Sequence, residues 1–279
     1  MAIRNILLSY NGLPGSDEAL ALAGLLARRF DAHVTGLLSY GPSRSVAALG
    51  PWITPHMLDA ALEAETARRA DVSRSFAEAS RKLAADRPAK VHFMELGGHA
   101  DGSLMEAARV YDMVVLAACE SSTADTAHLA VNADVVALRS GKPVLIAPRG
   151  VTLETLPRKA LVAWDGGRAA ARALSEAMPL LEAQGQALVC AIGDDRRAVR
   201  HEGRDVVAQL ARHGVQTEWR HMPRDARSIG RTLLDVAAAN DCGLLVMGAY
   251  EHSKFSEDLV GGVTRTVLDD SPIPVLMAH

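Results

Sequence analysis

Residues 248–266 of this 279-residue chain, GAYEHSKFSEDLVGGVTRT, concentrate the groups that could hold an anion. Gly248 directly follows the apolar run GLLVM, and a residue without a Cβ lets a ligand approach the backbone. Gly261 and Gly262 precede VTRTVLDD, whose apolar spacing predicts a helix. A helix start offers unpaired N–H groups and the positive end of a dipole, which is anion-binding chemistry. Thr264 adds a hydroxyl there, and His252, Ser253 and Lys254 lie in the intervening loop. The same loop carries Glu251, whose carboxylate a few ångströms from a phosphate costs on the order of 1 kcal/mol or more unless it is screened or turned to solvent. Taken alone, a glycine pair before a helix serves either an anion or the tight packing of a turn. The spacing matches neither GxxxxGK[ST] nor GxGxxG.

Other chemistry is thinly represented. The ten histidines form no HxxxH or HExxH pair, so no metal site is expected. Cys119, Cys190 and Cys242 are far apart without a CxxC pair, and are expected buried and reduced in a cytoplasmic protein. No serine nucleophile elbow is present. RHMPRDARS, residues 220–228, precedes an expected helix at the ligand edge. His221 or Arg224 there either reaches the anionic end of a ligand or belongs to a solvated turn. A net charge of −3 gives no basic footprint for nucleic acid. No apolar run reaches membrane-spanning length, and the opening residues MAIRNILLSYNG are not expected to act as a signal peptide.

What must position these groups is a unit that occurs twice. NILLSYNGLPGSDEALALAGLLARRF, from Asn5, parallels KALVAWDGGRAAARALSEAMPLLEAQ, from Lys159. Each is a short apolar run, a glycine-containing turn and an Ala/Leu-rich stretch with helical spacing. VVLAACE answers LVMGAYE, and KPVLIAP answers IPVLMAH. Glu120 to Glu251 and Pro143 to Pro274 are both offset by 131, so nothing was gained or lost between those anchors. Asn11 to Asp165 is offset by 154, so the first copy carries 23 more residues in between. The surplus is expected in SYGPSRSVAALGPWITPH, residues 39–56, and the long helix after it. Trp52 in that stretch is a lid, a partner contact or an aromatic plug pinning the loop.

In the first copy, strands are expected at residues 5–9, 33–38, 90–95, 113–117 and 143–147. Helices are expected at 16–30, about 55–85, 101–111 and about 132–139. Several strands are continuous apolar runs, as in a parallel sheet covered on both faces. The alternation implies βαβ units wound right-handedly on both sides of a sheet. APRGVTLETLPRK, residues 147–159, has Pro, Gly and charge without apolar period and reads as a linker between domains 1–150 and 156–279. Ligands of such sheets lie beyond the carboxyl ends of the strands, where strand order switches. AWDGG, residues 163–167, and the 248–266 stretch should meet there.

Asp165–Gly166 after the first strand, the spaced glycines ending at Gly261, Val263–Thr264 after them and a closing PVL strand together resemble the universal stress protein family. The resemblance spans essentially the whole chain, twice, as in the tandem-domain subclass. It implies an α/β fold of two tandem flavodoxin-like, adenine-nucleotide-hydrolase-like domains, each a five-stranded parallel doubly wound sheet. It also implies an intramolecular pseudo-dimer, with a homodimer open. One branch of the family binds ATP, so the resemblance implies ATP or another adenine nucleotide, with Mg2+ where the ligand is ATP. By motif position Asp165 contacts the adenosine part, with Ala163 and Trp164 beside it. Met247 and Gly248 then run under the nucleotide, and Gly261, Gly262, Val263 and Thr264 approach the phosphates.

Two departures stand out. Glu251 occupies the place of the second glycine of the nucleotide-binding pattern, and Gly262 the place of a Ser or Thr. The first is expected to impair the phosphate half; the second removes a hydroxyl but keeps an N–H. In the first copy, Asn11 stands at the Asp165 position, Ala117 at Gly248, Ala130 at Gly261 and Val131 at Gly262. No nucleotide is expected there in the family manner. Glu120 repeats Glu251, which points to a shared structural job. The expectation is a non-catalytic cytoplasmic stress-response protein that binds an adenine nucleotide in its C-terminal copy and changes its binding to an unidentified protein partner. A nucleotide-independent scaffold is the alternative, and a slow nucleotide hydrolase the third.

Overall fold

The computed structural model describes residues 2–41, 54–86, 90–118, 126, 128–193, 196–224, 228–249 and 262–279. Trp52, Cys119, Glu120, residues 251–254 and Gly261 lie outside the described residues. The first repeat runs β1 (Asn5–Ser9), α1 (Ser16–Phe30), β2 (His33–Tyr40), α2 (Pro55–Ala79), α3 (Arg81–Asp86), β3 (Val91–Gly97), α4 (Ala100–Ala108), β4 (Met113–Ala117), α5 (Ala133–Arg139) and β5 (Val144–Ala147). The second runs β6 (Lys159–Ala163), α6 (Arg168–Gln184), β7 (Gln186–Ile192), α7 (Arg196–Arg212), β8 (Gln216–Met222), α8 (Ile229–Ala239), β9 (Leu244–Gly248), α9 (Gly262–Asp270) and β10 (Val275–Ala278). The single long helix expected at 55–85 is two, α2 and α3, which part at the buried Ser80.

One compact unit comprises Ile3–Lys142. Its strands lie in the order β3-β2-β1-β4, all parallel. Ile6, Leu7, Leu8, Val114 and Val115 are fully buried, as strands covered on both faces require. The other unit comprises Met1–Ala2 with Pro143–His279. Five of its strands, β10-β9-β6-β7-β8, are parallel. The sixth is β5, the last strand of the first repeat, which runs antiparallel to β10 with Leu145 opposite Leu276. In each unit the strand order switches beside the first strand of its repeat, between β1 and β4 and between β6 and β9.

Helix α6 shows how sequence pattern becomes packing. Ala169, Ala170, Ala173, Leu174, Ala177 and Leu181 recur at helical spacing and are buried. The helix stops at Gly185, whose φ of 79° is the left-handed conformation a glycine adopts without strain, and whose N–H reaches Leu181 O at 2.8 Å.

Cys190 and Cys242 are free and buried. Burial pushes the Cys190 thiol up from 9.0 to about 11 and raises that of Cys242 as well. A thiol kept neutral in this way does not attack electrophiles. Both cysteines should therefore stay unreactive to a disulfide reagent at pH 8 in the native protein and react after urea unfolding. Because the folded value is the higher one, the Cys190 contribution to stability is full below pH 9 and is lost as pH rises through about 11. Native reaction of either thiol at pH 8 would contradict this.

Candidate functional site

Strands β6 and β9 pair in parallel with Val162 opposite Val246, which sets their carboxyl ends side by side. Ala163, the last residue of β6, and Trp164 are half-buried at that end, next to Met247 and Gly248 on β9. Trp164 N–H donates to Cys190 O on β7 at 2.9 Å, carrying the ladder one residue beyond the strand. Asp165 is exposed and its Oδ1 accepts from Gly167 N–H at 2.9 Å. Gly166 takes a left-handed φ of 77°. An aspartate that closes a turn onto the backbone two residues on is local chemistry that starts α6 cleanly. It also holds the carboxylate at the switch point.

Gly248 is required by close packing. A Cβ there would lie 2.7 Å from both Ala169 C and Ala170 N, so the backbone of α6 passes directly against β9. Met247 is 4% exposed and belongs to the core. At the far side of the site, α9 begins at Gly262, which is exposed. A Cβ built there would meet no atom of the described residues within 4 Å. Val263 is half-buried, and Thr264, 4% exposed, faces the interior. Helix α9 is located by α8: a Cβ on Gly230 would lie 2.9 Å from Thr266 Cβ and 3.0 Å from Val263 O. The site residues described thus form two groups: Ala163, Trp164 and Asp165 beside Met247 and Gly248, and Gly262 to Thr264 at the start of α9.

Two histidines hold strand ends near this site. His221 Nε2 donates to Gly193 O at 2.9 Å, tying the end of β8 to that of β7. Arg224 is exposed beyond β8. His279 Nδ1 lies 2.6 Å from Ala249 O, so the residue after β10 fastens the residue after β9. His279 carries no spacing signal, and only the β9–β10 pairing reveals its partner. Among the described residues, no three His, Cys, Asp or Glu side chains are placed to hold a metal ion.

The first repeat fills the same space with its own side chains. Asn11, at the Asp165 position, donates Nδ2–H to Leu129 O at 2.9 Å and accepts from Leu13 N–H at 3.0 Å and Ser16 Oγ at 3.1 Å. It thereby stitches the turn after β1 to the segment before α5. The cavity between Asn11, Ser16, Ala117 and Val131 measures about 30 Å3, room for a water molecule but not a nucleotide. Ala117 lines this cavity and also closes against α1. It packs against Gly15, where a Cβ would lie 2.7 Å from that of Ala117. Gly15 aligns with Ala169, and Ala117 with Gly248, so the two repeats put their glycine on opposite sides of one helix–strand contact.

A buried carboxylate completes the closure. Asp101, 7% exposed in the first turn of α4, accepts from Asn132 N–H at 2.8 Å and from Asn132 Nδ2–H at 2.7 Å. The carboxylate thus holds in place the residue that precedes α5. Tyr10 OH donates to Asp17 Oδ1 at 2.6 Å, and burial followed by that bond holds the phenol well above its usual range. The aligned pair in the second repeat is Trp164 and Ala171, which cannot make this bond.

The sequence signature of universal stress proteins matches residues 2–148 and again 157–279. The chain belongs to the universal stress protein family. A universal stress protein from Archaeoglobus fulgidus DSM 4304 superposes on 98% of this chain and 95% of its own, with a TM-score of 0.75 at 17% identity. A functionally unknown protein from Pseudomonas aeruginosa PAO1 superposes on 99% of this chain and 92% of its own, with a TM-score of 0.60 at 15% identity. At these identities the likeness is one of fold. No curated protein matches the sequence. As a tandem universal stress protein, the chain is asymmetric: in its first repeat Asn11 and Asp101 tie down the segment before α5, whereas in its second no described residue stands against Gly262 at the start of α9.

Proposed function

We propose that this universal stress protein acts without catalysis in the cytoplasm, binding an adenine nucleotide in its second repeat and changing its contacts with a protein partner accordingly. The observation that carries this reading is the backbone at Gly262, which no described residue covers, at the start of a nine-residue helix on the repeat that also keeps Asp165 at the switch point. Free N–H groups at such a start favour negative charge. ATP would be taken with Mg2+.

Calorimetric titration with ATP, ADP, AMP and adenosine tests it. One equivalent should bind with a dissociation constant on the order of 1–100 μM. Asp165→Ala should weaken binding about tenfold, equivalent to about 1.4 kcal/mol. Gly262→Ser places a hydroxyl where no described residue stands and should leave the fold intact while tightening ATP roughly fivefold through one added hydrogen bond. If ATP binds only to Glu251→Gly, the native ligand is confined to adenosine-like molecules. Absence of heat with all four ligands overturns the proposal.

The second reading, a scaffold without nucleotide, is favoured by α2. Its first turns leave Met57, Leu58 and Leu62 exposed at 43%, 43% and 57%, an apolar grouping that suits protein contacts.

A further inference from the structure

His33 opens β2 and His92 lies in β3, at the amino ends of the strands in the first unit. The parallel register sets Thr35 opposite His92, so His33, Thr35 and His92 share one face of the sheet, with His33 on the diagonal. His33 Nδ1 and His92 Nε2 are 3.4 Å apart. The ring planes are within 6° of parallel and their centroids are 5.7 Å apart. The centroid separation exceeds the N···N separation by about the width of one imidazole ring. The rings therefore meet edge to edge in nearly one plane, nitrogen facing nitrogen, and are not stacked face to face.

We propose that His33 and His92 form a chelating site for a divalent transition-metal ion of the zinc, nickel and copper class. Imidazole nitrogens bind such ions at about 2.0–2.1 Å, and two such bonds at the tetrahedral angle span about 3.3–3.4 Å. The observed separation already has that length. Rotation of each ring about its terminal side-chain torsion turns both nitrogens towards a shared ion without moving the backbone, and that torsion is soft. The backbone is well anchored: β2 and β3 are paired over seven residues, and His33 N–H donates to Arg4 O at 2.7 Å. The neighbouring cations are engaged elsewhere, with Lys90 Nζ 2.5 Å and Arg4 Nη1 3.7 Å from the Asp31 carboxylate. Since no set of three metal-ligating side chains exists among the described residues, water fills the remaining positions. The site is at the opposite end of the strands from a universal stress protein's nucleotide cleft and is independent of the reading above.

Calorimetry of the full chain with ZnCl2, NiCl2, CuCl2 and MgCl2 tests the proposal, beside His33→Gln and His92→Gln. One equivalent of each transition metal should bind, copper more tightly than nickel, and magnesium should not bind. Each substitution should weaken that binding about 10²-fold, as for losing one of two linked binding groups. Binding should also fade in acid, because protons compete for the imidazoles. Unchanged one-equivalent binding in either variant, or no binding in wild type, overturns the proposal. Should a variant fail to fold, paramagnetic broadening of wild-type resonances by substoichiometric Cu2+ decides. Broadening at His33 and His92 first supports the site, and broadening centred on other histidines rejects it.

Discussion

Gly248→Val is expected to destabilise the second unit by about 3 kcal/mol or more, at the upper end of what overpacking a core costs. The new Cβ would lie 2.7 Å from Ala169 C and Ala170 N, both atoms of helix backbone that cannot swing aside. Helix α6 buries its whole inner stripe against the sheet, so moving it away uncovers Ala173, Leu174 and Ala177 together. Ala169→Gly should not rescue the variant, because the obstructing atoms remain after the Ala169 methyl is removed. The first repeat tolerates Ala117 only because Gly15 stands opposite it in a left-handed turn with φ of 93°. Urea unfolding followed by circular dichroism, with amide exchange to assign the loss to residues 143–279, provides the check. A loss below about 0.5 kcal/mol, within the range of ordinary surface changes, would mean the contact is not tight.

The second large effect is expected at Asp101. Asp101→Ala should cost the first unit about 2 kcal/mol, since it removes two hydrogen bonds to a buried carboxylate, while Asn132, itself exposed, turns its N–H groups to water. The loss should be local as well as global, with amide exchange in α5 accelerating before that of β1 and β4. Asn132→Ala removes only the side-chain bond and should cost less than half as much. Nucleotide titration should be unaffected in both variants, because the first repeat's cavity is too small for that ligand. Equal exchange rates in α5 before and after Asp101→Ala would show that the pair does not hold the helix start.

Much of the architecture is legible in the residue pattern, for physical reasons. β1 and β4 are runs of Ile, Leu and Val that only a doubly covered parallel strand buries, and both occupy the residues the pattern indicates. Helix α1 likewise spans residues 16–30 as its apolar spacing predicts. What the pattern does not carry is pairing between distant polar groups. Nothing local to Asp101 or Asn132 indicates that they meet, since they are 31 residues apart and come together only after α4 and α5 have packed. The glycine exchange between Gly15–Ala117 and Ala169–Gly248 is hidden similarly. A motif comparison sees a lost glycine at 117, whereas the structure shows the same close approach relieved from the other side. Nor does composition indicate that β5 runs antiparallel to β10, because VLIA and VLMA read alike in either direction.

Trp164 carries one further consequence. Its indole Nε1–H is buried and has no hydrogen-bond partner among the described residues, where the aligned Tyr10 hydroxyl has Asp17. A buried indole usually finds an acceptor. An indole without one lacks a partner dipole whose relaxation lowers its excited state, so Trp164, though half-buried, should emit to the blue of a hydrogen-bonded indole of the same exposure. Any molecule that brings an acceptor oxygen or water to that nitrogen should shift the emission to the red. With Trp52 and Trp219 replaced by Phe, Trp164 is therefore an intrinsic optical probe of the turn that carries Asp165.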